Sequence, residues 1–278
     1  MDEIKRQHRD TIFRGIFKEP HNFLHLLQWC RGGKSDLTVD CITPFDLDSE
    51  LAVRIRRNDV SFITKDNRLV ILVEHQSSLC PNMAFRLFLY YIELLQLWIK
   101  LNEVNVYGES IVPVLPVPEF YVAYNGVKPL DSNYSTFVLE REGIKIDIQV
   151  KIVDIHFEEL TDVEASNTLA GYAYFYKIYD ECIAQGATRD SAFSTARDEC
   201  IKNGYLRGYV DKEDFIVFYK DILDYDTQLI KEGEAWGEAK GVINTALKLL
   251  EAGTSLQYLT EVLHLSESQI LELKKSIA

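Results

Sequence analysis

The spacing of apolar residues changes character along this chain. Ile12, Phe13, Ile16 and Phe17 recur every three or four residues and predict a helix over Ile4–Phe17, which Pro20 ends. His21–Cys30 predicts a second, shorter helix stopped by Gly32-Gly33. Leu37–Ile42 and Glu50–Ile55 alternate, or nearly so, and read as strands. Val60–Thr64 and Leu69–Gln76 are denser apolar runs joined by Lys65-Asp66-Asn67-Arg68, where Asp66-Asn67 favours a tight reversal, so the two runs read as a hairpin. Pro81, a proline suited to a first helical turn, introduces a helix over Asn82–Lys100. Pro113, Pro116 and Pro118 lead into a strand at Phe120–Tyr124, closed by an Asn125-Gly126 turn, and a further strand spans Ile144–Ile155.

Beyond Thr161 the strand pattern stops. Thr168–Cys182, Thr188–Asn203, Glu213–Leu223 and Tyr225–Ala252 read as helices. Two short helices follow, Ser255–Leu263 and Ser266–Ser276, with Ser266 a fit N-cap for the last. The expected class is therefore α/β: a mixed domain over 1–160, then an all-helical region over 161–278. Gly233, Gly237 and Gly241 repeat every four residues in a helix too charged for a membrane, which suits close packing against another helix. A dimerisation element is the reading of this tail; a helix-turn-helix-like unit is its alternative, and Lys274-Lys275 alone lend it positive charge near the end.

Charge sharpens the division. The chain of 278 residues carries a net charge of −13, yet residues 1–100 balance at +1 and residues 101–278 at −14. Such a total excludes a surface coated for nucleic acid, but phosphate contact needs only a local basic patch. Arg54, Arg56, Arg57, Lys65, Arg68 and Arg86 crowd one segment and could form that patch, or could simply solvate strand edges. No apolar run reaches the ~18 residues of a membrane span. The charged opening Met1–His8 lacks the apolar middle of a signal peptide, and the five cysteines are scattered without metal-binding spacing. A cytoplasmic protein with reduced thiols and no membrane partner is expected.

Candidate chemistry lies in the hairpin. Alternation along a strand points Glu74 and Gln76 to one face and His75 to the other, and closing the hairpin brings Asp59 near Glu74. Two carboxylates and an amide would then meet. Asp59, Glu74 and the backbone carbonyl of His75 suit a hard cation, Mg²⁺ or in its place Mn²⁺, which can activate water against a phosphodiester. Gln76 does not titrate, so it can orient water or phosphate but cannot act as a base. The His75 ring is expected to pack or hydrogen-bond. Acids at strand ends also pair structurally with arginine, here Arg57 or Arg86, and the spacing alone leaves both readings open.

The string Asn58-Asp59-Val60-Ser61-Phe62, then Leu72-Val73-Glu74-His75-Gln76-Ser77-Ser78, Pro81-Asn82-Met83, Arg86 and Tyr90 resembles the transposase-like, recombination-promoting branch of the PD-(D/E)XK nuclease family. Asp10-Thr11-Ile12-Phe13, Pro116–Gly126, Leu169–Phe175 and the tail from Lys231 agree with it in order, so the resemblance spans nearly the whole chain. It implies a restriction-endonuclease-like core with a central mixed sheet flanked by helices, cutting DNA with Mg²⁺. Asp59 matches the motif's first acid, Glu74 the second, and Gln76 the position usually held by lysine. Arg86 and Tyr90 are similar to a polar pair facing the site, Arg57 is a further substrate contact, and Asp10 could approach the metal. The alternative is a catalytically weak DNA-binding or protein-interaction module on the same fold. A bare scaffold would instead bury the acids against arginines.

Overall fold

A computed structural model describes residues 2–33, 35–45, 59–108, 114–212, 215, 243–250, 254–263, 265 and 270. The strand expected at Glu50–Ile55, most of the helices Glu213–Leu223, Tyr225–Ala252 and Ser266–Ser276, the spaced glycines and Arg57 lie outside the described residues, as does the Asp10 side chain.

The chain begins with α1 (Asp2–Phe17) and α2 (Pro20–Cys30). Pro20 does not follow the first helix as a mere breaker; it opens the second at a position where a missing amide costs nothing. Where Leu37–Ile42 reads as a strand, residues 39–41 instead make a 3-10 turn, closed by the Cys41 amide on the Thr38 carbonyl at 2.9 Å. The strand β1 (Ile42–Pro44) starts only after it. β2 (Val60–Thr64) and β3 (Leu69–Gln76) form the expected hairpin. In its loop Asp66 accepts from the Thr64 hydroxyl at 2.6 Å and the Arg68 amide at 3.1 Å, while Asn67 takes a positive φ of 58°. Next come α3 (Met83–Leu101), preceded by Asn82 at the N-cap position without a side-chain capping bond, so that Pro81 lies outside the helix, and β4 (Val117–Tyr124).

β5 (Tyr134–Arg141) was not foreseen; it pairs with β6 (Ile144–Asp154) across the Glu142-Gly143 turn, where Gly143 has φ +74°. The Val138-Leu139 pair interrupts alternation in β5, because both are exposed at the margin of the sheet. α4 (Thr168–Ala184) and α5 (Arg189–Asn203) follow, capped by the Asn167 and Thr188 side chains.

The described strands make one mixed sheet ordered β1-β2-β3-β4-β6-β5. β3, β4 and β6 run parallel at its centre, with antiparallel strands at both margins. Parallel strands need a crossover, and α3 supplies it between β3 and β4. It lies on one face, where Leu87, Tyr90, Leu94 and Trp98 pack with Val70, Leu72 and Val122. On the other face α1, α2 and α4 cover the alternate residues: Phe23 stacks on Phe62 at 4.1 Å, and Phe13 and Tyr172 meet edge to face at 5.5 Å. Arg9 lies over Tyr176 and pairs with Asp180, tying α1 to α4.

The first compact unit consequently runs from Met1 to Tyr219, past the boundary expected near residue 160. Tyr172 and Phe175 of α4 are nearly fully buried, so this helix belongs to the core of the α/β layer. The second unit is Lys220–Ala278. Within it residues 243–250 are helical, as is Leu256–Val262, which Ser255 caps. Ile243, Ala246, Leu259 and Leu265 form its small apolar cluster. No helix among the described residues is long and apolar enough to cross a membrane.

Candidate metal centre

Asp59 immediately precedes β2, and the register Val60↔Val73 sets it opposite Glu74. The two acids are linked reciprocally. The Asp59 amide donates to Glu74 Oε1 at 3.0 Å, and the His75 amide donates to Asp59 Oδ2 at 2.7 Å. Each carboxylate thus fixes the backbone that carries its neighbour. The hairpin expectation for this pair is met in the geometry.

The ladder also decides where the His75 carbonyl points. Gln76 O accepts the Asn125 amide at 3.1 Å, on the β4 side of β3. Amide and carbonyl of one strand residue point the same way, and successive residues alternate. The His75 amide meets Asp59 on the β2 side, so its carbonyl is directed to that side as well. Two carboxylates and one carbonyl therefore share one corner of the sheet. That donor set is all hard oxygen, suited to a Mg²⁺-like ion that keeps several waters. No group of three or more His, Cys, Asp or Glu that could hold a metal occurs among the described residues, so the protein's share would be this smaller set.

Glu74 is buried, at 3% exposure, and Arg86 Nη2 of α3 lies 3.7 Å from its Oε2. Arg86 also donates to the Tyr90 hydroxyl at 3.1 Å, one helical turn on. Burial would lower the Arg86 pKa, but Tyr90 and Glu74 outweigh it, and the guanidinium stays charged. Burial, then the Glu74 charge, raises the Tyr90 phenol above its usual range, so it keeps its proton. Gln76 shares the face of Glu74, but its amide oxygen accepts the Cys80 amide at 3.2 Å and steadies the loop into α3.

His75 turns the other way, as expected, and is 2% exposed. Its Nε2 lies 3.0 Å from Asn125 Oδ1 and 3.2 Å from the Tyr172 hydroxyl, with the Phe13 ring 5.0 Å away. Asn125 and Tyr172 are the residues that the sequence reading did not connect to the motif. The available signal was the Asn-Gly after the fourth strand, but its place beside Gln76 depends on β4 pairing in parallel with β3. A cavity of about 220 Å³ opens on this reverse face, lined by Arg9, Asn125, His156, Tyr176 and Lys177 among others; Asp59, Glu74 and Gln76 do not line it.

The structure thus gathers Asp59, Glu74, the His75 carbonyl, Arg86 and Tyr90, with Gln76 on the same face and engaged by the following loop. Comparison of the chain with protein-family models, curated proteins and solved structures finds no match.

Proposed function

We propose that this chain is a divalent-metal-dependent endonuclease that hydrolyses phosphodiester bonds in DNA, in the service of recombination or element mobility. The observation that carries this reading is the reciprocal locking of Asp59 and Glu74, with the His75 carbonyl turned to the same corner. Asp59, Glu74 and that carbonyl would hold Mg²⁺, or Mn²⁺ in its place. The bound ion would supply Lewis acidity and a water of lowered pKa. Arg86 contributes a permanent cation for phosphate, and Tyr90 a protonated hydroxyl beside it. The resemblance to PD-(D/E)XK nucleases, read as a restriction-endonuclease-like core, supports the same conclusion, with Gln76 standing where lysine is usual. With no lysine there, more of the charge stabilisation falls to the ion and Arg86.

One observation favours another reading, a bare scaffold whose acids are structural. Glu74 is buried beside Arg86, as an acid serving only the scaffold would be. Nicking of supercoiled plasmid separates the two. Wild type is expected to cut with Mg²⁺ or Mn²⁺ and not with EDTA, and Asp59→Ala to cut at least ~100-fold more slowly, as loss of a metal ligand implies. Folded wild type that neither binds nor cuts DNA would establish the scaffold, and folded wild type that binds DNA without cutting under either metal would establish the catalytically weak DNA-binding or interaction module.

A further inference from the structure

β5 forms one margin of the sheet. Its register with β6 advances one for one from Tyr134↔Lys151 to Arg141↔Ile144, without a bulge. The Ile152 amide donates to the Asn133 carbonyl at 2.8 Å, which identifies 133 and 152 as a hydrogen-bonded pair. The alternation of an antiparallel ladder then turns the backbone groups of Ser135, Phe137, Leu139 and Arg141 toward β6. Those of Tyr134, Thr136, Val138 and Glu140 point outward, where no further strand lies among the described residues.

Sheet margins are usually blunted by lysine, proline, bulges or brevity. Here eight residues run straight, with neither proline nor lysine. Tyr134, Val138 and Leu139 are about half exposed, at 49%, 47% and 51%. β4 meets β6 only between Tyr121–Tyr124 and Lys151–Asp154, so the earlier part of β6 has β5 as its strand partner.

We propose that this margin pairs with the same margin of a second copy, joining two sheets into one. Charge and register select that occupant. The chain carries −13 overall, but residues 134–151 balance Arg141, Lys145 and Lys151 against Glu140, Glu142 and Asp147, so net charge does not oppose the meeting of two such ribbons. An antiparallel register centred on Val138 engages the outward backbone groups of Thr136, Val138 and Glu140: Val138 meets its own copy and Thr136 meets Glu140, while the Tyr134 amide and carbonyl already bond the Ser132 hydroxyl. On the face shared with α3, Phe137 meets Leu139 and Ser135 meets Arg141. No like charges oppose, and an aromatic-aliphatic pair forms on each side of the dyad.

Val138 provides the test, because its amide faces away from β6. Proline there removes only an outward donor, a position where edge strands accept it. Sedimentation of the full wild-type chain is expected to give the mass of two chains, falling to one on dilution. Val138→Thr, which keeps the amide, should behave as wild type, and Val138→Pro should give one chain throughout with an unchanged circular dichroism spectrum. A single-chain wild type at every concentration, or a Val138→Pro variant that still dimerises, overturns the proposal. Should Val138→Pro fail to fold, hydrogen exchange in the wild type decides: the Thr136 and Val138 amides are expected to slow by about tenfold or more on concentration. Exchange there that ignores concentration counts against the pairing.

Discussion

Glu74 holds a carboxylate where water scarcely reaches, a placement that costs free energy unless bonds replace hydration. The Asp59 amide and Arg86 replace it on either oxygen. A second coupled pair sits at the end of β6. His156 donates from its backbone amide to Asp154 Oδ1 at 2.8 Å, and its Nδ1 lies 2.6 Å from the same oxygen. The hydrogen bond to Asp154 raises the His156 pKa above 6.5, against the opposing effect of burial. Burial pushes Asp154 up, but its bonds from His156 outweigh this and hold it below 3.8. A raised histidine stabilises the fold fully below 6.5 and loses that contribution as pH climbs through its folded value. A depressed aspartate contributes above 3.8 and loses it as pH falls through its own folded value. Urea midpoints of wild type and His156→Gln should therefore differ most between those limits and converge as pH rises beyond the histidine range.

Among elements, the turn after β4 controls the end of β3. Gly126 packs so closely that an added Cβ would collide with the Ser77 carbonyl oxygen and come within 2.5 Å of the Tyr124 hydroxyl. Tyr124 itself is bound to the Lys128 carbonyl at 2.6 Å, so it has little freedom to retreat. Gly126→Ala is expected to cost about 1–3 kcal/mol, the usual range for overpacking a tight site, measured by urea unfolding. On the proposed function it should also slow plasmid nicking, because Ser77 follows directly on Glu74-His75-Gln76. The Asp59 and Glu74 pairing could be read from the chain because a short hairpin sets its own register. Asn125 and Tyr172 could not, since they reach His75 only through a crossover and a helix packed from the opposite face. β5 was hidden for a related reason: its alternation lapses from Val138 onward, where successive residues are all exposed at the margin of the sheet.

For the whole molecule, the α/β unit extends to Tyr219 because α4 helps to build its core. A chain ending at Tyr219 is expected to unfold in a single cooperative urea transition. One ending at Leu160 lacks the buried Tyr172, Phe175 and Tyr176 and should show no such transition by circular dichroism. The amino-acid sequence by itself determined the local matters: most helices and strands, the hairpin, and the facing of Glu74, Gln76 and His75. These depend on periodicity and short-range turn chemistry, which act within a few residues. Tertiary structure decided the order of the sheet, the burial of Glu74 against Arg86, the Asn125–His75–Tyr172 contacts and the exposed margin at β5. Each depends on which distant segments pack together, a choice made by competition for the common apolar core that no local pattern encodes.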